Sequence, residues 1–180
     1  MAVESSRPRS IRKVHLVAWI LLVVAIVVVA LVRIGDRTEG PSIKIVDREG
    51  RMRSVSLASI REMPAIARRG TYQNQYANWR DEGVYVGVLL RDLIGSEATY
   101  DAVRVAADDG YTVVIERARL EDPDYPVVLA FEMDGVSVPE WEDGYRIAVL
   151  PEDGSVSNEE FGVESAGSFW VKNVVRITLQ

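Results

Sequence analysis

The chain contains no cysteine and only one histidine, and these two absences remove several classes of chemistry. Without cysteine there are no disulfides, no cysteine-ligated zinc or iron–sulfur cluster and no thiol nucleophile. The histidine, His15, lies at the edge of a long apolar run, so the rest of the chain lacks the imidazole of a Ser-His-Asp triad or a histidine-rich metal site. The glycines form neither a G-x-G-x-x-G fingerprint nor a phosphate-binding loop with its lysine, which excludes nucleotide sites of those kinds.

Positive charge is scarce outside the N-terminal segment. Residues 1–33 carry a net charge of +4, whereas the remaining residues carry −10 within a total of −6. An acidic domain lacks the basic patches with which proteins bind phosphate backbones, so we expect no nucleic-acid partner. Lys172 is one of only two lysines in this acidic part, and a lysine beside a strand can bind an anion as a point charge.

One long hydrophobic run dominates the N-terminal segment. Residues 16–32 contain no polar side chain, and a helix over residues 14–32 spans roughly 28 Å, close to the thickness of a hydrocarbon core. Because lipid offers no partner for backbone polar groups, a helix is favoured over a strand. The run is longer than the apolar part of a cleaved signal peptide and no A-x-A site follows it, which predicts an uncleaved anchor.

The charges that flank this run predict its orientation. Four basic residues precede the run, while those after it alternate with acidic residues, so the positive-inside rule places the N-terminus in the cytoplasm. We therefore predict a single-pass cell-membrane protein whose folded domain lies outside. Its predicted parts are a cytoplasmic basic tail over residues 1–13, a transmembrane helix over 14–33, a linker over 34–42 and a domain over 43–180.

Alternating apolar residues and turn motifs predict that this domain is rich in strands. Residues 43–57 are typical of a β-hairpin around an Arg-Glu-Gly turn, and residues 101–116 of another around Asp-Asp-Gly. Ser59 is a candidate cap for a helix over residues 60–69 that ends at Gly70. In total we expect about eight strands and two or three short helices, without the βαβ alternation of a doubly wound sheet. The predicted fold class is α+β, with a twisted, mixed and partly barrel-like sheet.

Acidic residues cluster in three polar segments, at 121–124, 140–143 and 152–160. Alternating loop oxygens can bind Ca²⁺, but none of these segments has the D-x-[DN]-x-[DN]-G spacing of a calcium loop. Solvated turns of an acidic surface are the simpler interpretation, and we predict no metal site.

Residues 72–80, YQNQYANWR, form the densest polar and aromatic stretch of the domain. Amides and aromatic rings make good ligand walls because they form hydrogen bonds and stack without carrying charge. The simpler alternative is an edge strand whose aromatic side chains pair with those of a neighbouring strand.

Four other stretches carry a recognisable pattern in their order along the chain. They are VYVGVLLRDLI, DGYTVVI, VVLAFEMDGVSVP followed by GYRIAVLP, and GSFWVKNVVRITL. Together they resemble the molybdopterin-binding domain of the sulfite oxidase family, with its aromatic-x-Gly-Val segment, its Asp-Gly-Tyr hairpin, its Pro-Leu-Arg-Leu strand and its terminal Lys-Trp-Val-Lys strand. The resemblance covers residues 43–179 and implies the fold of that family, in a small and membrane-anchored form.

One element of the family pattern is missing. Catalytic members carry a Cys-x-Gly-Asn stretch whose thiolate ligates molybdenum, and the best match here is Gln75-Tyr76-Ala77-Asn78, with Gln75 at the cysteine position. A neutral amide is a poor replacement for a soft thiolate on a transition metal. The resemblance therefore implies molybdopterin, the missing thiolate disfavours it, and the sequence leaves the cofactor undetermined.

The positions that still match the family are the candidate binding residues. We expect Gln75, Asn78, Trp79 and Lys172 to line a pocket for a pterin, an anion or another small ligand. Trp79 or Trp170 could stack on a flat ring. The sequence assigns no catalytic residue and no metal ligand.

Three functions agree with these observations. The first is a membrane-anchored, non-catalytic module that binds a small ligand or a partner protein, since a fold does not by itself fix a function. The second is a molybdopterin-dependent oxidoreductase with an atypical metal site, so the sequence does not decide whether the chain is an enzyme. The third is an accessory subunit of a membrane complex.

Overall fold

Eleven strands and four short helices form within residues 40–95 and 98–180, which are the residues that the computed structural model describes. The strands are β1 Ser42–Val46, β2 Met52–Ser56, β3 Ala65–Gln73, β4 Trp79–Leu89, β5 Ala102–Ala107, β6 Thr112–Glu116, β7 Val127–Met133, β8 Val136–Ser137, β9 Arg146–Val149, β10 Ser155–Val156 and β11 Val174–Leu179. The helices are α1 Leu57–Arg61, α2 Leu90–Ile94, α3 Arg117–Leu120 and a 3₁₀-helix, Ala166–Phe169.

Both predicted hairpins form. Strands β1 and β2 pair antiparallel, and Ile43 lies opposite Val55 with both side chains buried, because alternate residues of a strand face the same side. The turn between them closes when the amide of Gly50 donates to the carbonyl of Asp47. Strands β5 and β6 pair antiparallel in the same way around the turn that contains Gly110.

The predicted helix over residues 60–69 is wrong. The helix in this region is α1, and its cap is Ser56 rather than Ser59, since the Ser56 hydroxyl accepts a hydrogen bond from the Ser59 amide. Pro64 lacks the amide hydrogen that a helix interior requires, and the residues after it form β3, which pairs antiparallel with β4. Pairing with the next strand therefore outweighs the helical spacing of the apolar residues.

The strands form two mixed sheets. The first has the order β2-β1-β11-β5-β6, and β1 and β11 are parallel neighbours, so the first and last strands of the domain lie side by side. The second has the order β10-β3-β4-β7-β8, with β9 paired to β7 and β10 parallel to β3. All four residues of β9 are buried, which places the side chain of Arg146 inside the domain.

The prediction of a strand-rich, mixed fold is confirmed, but the shape of the sheet differs from the expectation. Within residues 40–95 and 98–180 the strands form two open sheets rather than one partly barrel-like sheet. One continuous hydrophobic core contains buried residues of both sheets, such as Leu129 and Ile177. Helix α2 is one of the expected short helices, and Gly95 follows its last residue.

The described part of the chain contains no helix of the length and apolar character needed to cross a membrane. The predicted transmembrane helix, residues 14–33, and the basic tail before it lie outside the described residues.

Gly87 of β4 lies close against the backbone of β7. A Cβ atom at this position would collide with the carbonyl oxygen of Leu129 and the Cα of Ala130, and neither backbone atom can move without distorting β7. We therefore expect Gly87→Ala to lower the free energy of unfolding by about 1–3 kcal/mol, measured by urea denaturation. Gly40→Ala is the matched control, because a Cβ there meets no atom, and equal effects of the two variants would contradict the prediction.

Candidate functional site

Three of the four predicted binding residues lie at one end of the β3–β4 hairpin. Gln75 and Asn78 belong to the loop between the strands, and Trp79 is the first residue of β4. All three are exposed, Trp79 to 48%. Strand β3 lies between β10 and β4 rather than at an edge, and Trp79 is opposite Gln73. The alternative of an edge strand with paired aromatic residues is therefore wrong.

The loop, with Trp79, forms what we call the hairpin tip, residues 74–79, and hydrogen bonds hold it in place. The side-chain oxygen of Asn74 accepts from the amides of Tyr76 and Asn78, at 2.9 and 3.1 Å. The side chain of Asn158 donates to the carbonyl of Asn74 at 2.8 Å. Tyr76 is 74% exposed, so the hairpin tip presents two aromatic rings and two amides to solvent on an ordered backbone.

Lys172, the fourth predicted residue, belongs to a group of four charged side chains. Its ammonium nitrogen lies 3.1 Å from Oδ1 of Asp143 and 3.3 Å from Oδ2 of Asp81. Arg146 binds the same two carboxylates, through Nη1 to Asp143 at 2.7 Å and through Nη2 to Asp81 at 2.5 Å. We call these four residues the ion cluster. Its two positive and two negative charges cancel.

Local backbone irregularities bring these side chains together. The register between β3 and β4 shifts between Gly70 and Tyr72, and a bulge of this kind redirects a side chain. Asp81 lies at this bulge with a φ of 50°. Asn173, with a φ of 49°, follows Lys172 and donates its amide to the carbonyl of Asp143 at 2.8 Å. Left-handed conformations are uncommon for residues other than glycine, and here one occurs at a member of the cluster, Asp81, and the other next to Lys172.

Aromatic rings enclose the guanidinium of Arg146. Its central carbon lies 5.3, 5.7 and 5.8 Å from the ring centroids of Trp170, Tyr85 and Tyr72. Arg146 is completely buried, and a buried charge is tolerated only when it is paired and hydrogen-bonded. The two aspartates supply that pairing, and the ring faces add cation–π attraction.

The ionisation states follow from these contacts. Burial alone raises the pKa of Asp81, but hydrogen bonding to Arg146 and the charges of Arg146 and Lys172 lower it further, so the net pKa is below the ordinary value. Burial raises the pKa of Tyr85, and burial together with the charge of Asp81 raises the pKa of Tyr72. Asp81 is therefore an anion that accepts hydrogen bonds from two neutral phenols, at its side chain from Tyr72 and at its carbonyl from Tyr85.

Three members of the ion cluster, Asp81, Asp143 and Arg146, were absent from the sequence prediction. A signal for one of them exists in the stretch GYRIAVLP, where Arg146 is the only charged residue of a strand that is otherwise apolar. An arginine in that position must be buried and must have carboxylate partners. Its partners lie three and 65 residues away, and no spacing rule identifies the second.

The residues present do not fit a molybdenum centre. The sequence has no thiolate donor, and Gln75, at the family's cysteine position, is exposed at the hairpin tip. In the described residues no group of three histidine, cysteine, aspartate or glutamate side chains is placed so that it could hold a metal ion.

The residues expected to hold a flat cofactor line none of the three main cavities found in the described part of the chain. Trp170 is 4% exposed and packs against Tyr72 and Tyr85, with ring centroids 4.9 and 5.2 Å apart, so its ring is already covered. Cavities of about 410, 350 and 260 Å³ lie elsewhere on the described surface, and neither Lys172 nor the hairpin tip lines any of them. Gln75, Asn78 and Trp79 lie at the hairpin tip, whereas Lys172 belongs to the ion cluster.

A solved structure has a similar fold. The chain is similar to the sulfane dehydrogenase SoxCD from Paracoccus pantotrophus, with a TM-score of 0.56 and 15% sequence identity. The match covers 77% of this chain and 37% of that chain, so the present chain corresponds to little more than a third of it. At this identity the similarity shows the fold alone. No family model and no curated protein matches the sequence.

Proposed function

We propose that the chain is a membrane-anchored, non-catalytic binding module built on a sulfite-oxidase-like fold. The observation that carries the proposal is which side chains occupy the candidate site. Where the resemblance to the sulfite oxidase family implies a metal-binding thiolate, the chain carries the exposed amide of Gln75, and the charged side chains of the ion cluster neutralise one another. Amide and charged side chains of this kind can bind ligands by hydrogen bonding and charge, but they include no donor suited to molybdenum.

The proposal that the chain is anchored in the cell membrane, with its folded domain on the outer side, rests on the sequence. Residues 14–33 are long and apolar enough to span a bilayer, and the basic residues before them favour a cytoplasmic N-terminus. The acidic character of the remaining chain argues against a nucleic-acid partner.

The hairpin tip supports a partner protein as an alternative to a small ligand. Tyr76 and Trp79 are exposed there beside Arg80, and tyrosine, tryptophan and arginine are the residue types most enriched at the centres of protein interfaces. A partner that is itself a membrane protein would make the chain an accessory subunit.

The decisive measurement of this function is metal and pterin content. The full chain, produced in a host that makes molybdopterin and purified in detergent, should contain molybdenum, tungsten and pterin far below one per chain, because no thiolate anchors the metal. Elemental mass spectrometry measures the metals, and fluorescence measures the pterin in the same sample.

Two controls make this result interpretable. A molybdopterin enzyme produced in the same host must carry its full complement, which shows that the cofactor is supplied. The Gln75→Cys variant tests whether one thiolate at the hairpin tip raises the metal content per chain. Metal and pterin near one per wild-type chain would contradict the proposal and support the oxidoreductase alternative.

A further inference from the structure

Arg146 uses only part of the edge with which a guanidinium binds a carboxylate. The strongest arrangement has two parallel N–H donors, such as Nε and Nη2, facing two carboxylate oxygens. In the ion cluster Nη2 donates to Oδ2 of Asp81, while Nε has no hydrogen-bond partner among residues 40–95 and 98–180. Since Arg146 is completely buried, half of this edge is shielded from water and unsatisfied, which is unfavourable.

A second unsatisfied donor lies close by. Nε1 of Trp170 is also buried without a partner in the described part of the chain, and its ring is one of the three that enclose Arg146. Meanwhile Oδ2 of Asp81 accepts from Arg146 and Tyr72 and lies 3.3 Å from the ammonium of Lys172. Three donors thus share one oxygen while two have none, an imbalance that a group with two well-placed acceptor oxygens would correct.

Asp81 is poorly suited to remain the permanent occupant of this position. Its left-handed φ of 50° is a sparsely populated conformation for a residue with a side chain. Its side chain is 29% exposed and that of Lys172 is 46% exposed, so the two residues lie on the solvent side of the cluster. Asp143 stays bound to the other edge of Arg146 through Nη1, and so the arginine keeps a charge partner when Asp81 moves.

We propose that Arg146, Lys172 and Tyr72 form a binding site for a small carboxylate ligand, and that Asp81 fills the site through a single oxygen until the ligand replaces it. The ligand carboxylate would engage both Nε and Nη2 of Arg146. This inference rests on the binding role proposed above and names its ligand class.

The test is a calorimetric titration of the full chain in neutral detergent with sodium acetate, at constant ionic strength in a buffer without carboxylates. The wild type should bind acetate weakly and saturably. Asp81→Asn should bind it roughly tenfold or more tightly, because the competing carboxylate is gone and asparagine tolerates the left-handed backbone. Adding Lys172→Met to Asp81→Asn should weaken binding again, since it removes a cation that is nearly half exposed.

Asp134→Asn is the matched control, because Asp134 is an exposed aspartate with the same φ of 50° and lies outside the ion cluster. It should bind acetate as the wild type does. If Asp81→Asn fails to fold, Asp81→Gly removes the same carboxylate and is compatible with a positive φ.

Three results would overturn the inference. Absence of saturable binding in both the wild type and the Asp81 variants would show that the donors bind only one another or water. Binding by the Asp81 variants alone would show that Asp81 is a fixed structural partner. Sulfate binding as tight as acetate would show a general anion site. Each leaves the proposed binding role in place, whereas a full complement of metal and pterin would contradict that role whatever the acetate titration shows.

Discussion

Replacing Arg146 with methionine is expected to lower the free energy of unfolding by about 3–5 kcal/mol. Methionine keeps an unbranched, apolar stem among the rings of Tyr72, Tyr85 and Trp170, but it removes the guanidinium that both aspartates bind. The two carboxylates then keep only one cation, the ammonium of Lys172. Because their side chains are 29% and 20% exposed, water stabilises them in part, and the lower end of the range is expected. Urea denaturation at neutral pH measures the change.

Two companion variants separate the ion pairs from side-chain volume. Arg104→Met changes an exposed arginine of β5 and should alter stability by less than about 0.5 kcal/mol. A triple variant that adds Asp81→Asn and Asp143→Asn to Arg146→Met should recover much of the loss, because it leaves no unpaired buried charge. If Arg146→Met proves as mild as Arg104→Met, the ion cluster does not stabilise the fold.

The parts of the fold that could be predicted from sequence are those whose partners are close along the chain. The β1–β2 and β5–β6 hairpins need only alternation and a turn motif, and both appear where the sequence indicates. The first part of β3, residues 65–69, falls within the predicted helix, because its apolar residues have a helical spacing and its strand pairs with the distant β10, a contact that has no local signature. The same limit explains the division into two sheets, which depends on contacts such as that between β1 and β11.

The candidate site, like the fold, could be predicted from the sequence only in part. Lys172 was singled out as a possible anion contact, and it does lie beside carboxylates, but these are the chain's own Asp81 and Asp143. Gln75 and Asn78 were expected to line a pocket and instead lie exposed at the hairpin tip. Residue types identify which side chains can bind charge. The bulge that turns Asp81 inward arises from pairing across β3 and β4, which a single sequence does not reveal.

The ion cluster should also make the domain sensitive to acid, and Asp81 is the residue that controls the effect. Contacts with Arg146 and Lys172 outweigh burial and hold the pKa of Asp81 below its ordinary value in the folded state. A carboxyl group of this kind contributes stability that is fully present above its unfolded pKa, about 3.9, and that is lost as the pH falls through the lower, folded pKa. The wild type should therefore lose stability below about pH 4 more steeply than Asp81→Asn does.

Urea unfolding of both proteins between neutral pH and about pH 2, at constant ionic strength, measures this difference. Near neutral pH the wild type should be the more stable, because the asparagine leaves Arg146 and Lys172 with one carboxylate between them. In acid the two curves should converge, since a protonated Asp81 offers Arg146 no more charge than asparagine does. The exposed Asp134→Asn should instead follow the wild type throughout. Curves for the wild type and Asp81→Asn that stay parallel across the acid range would show that the charge of Asp81 contributes nothing to folding, and that only the shape of its side chain matters.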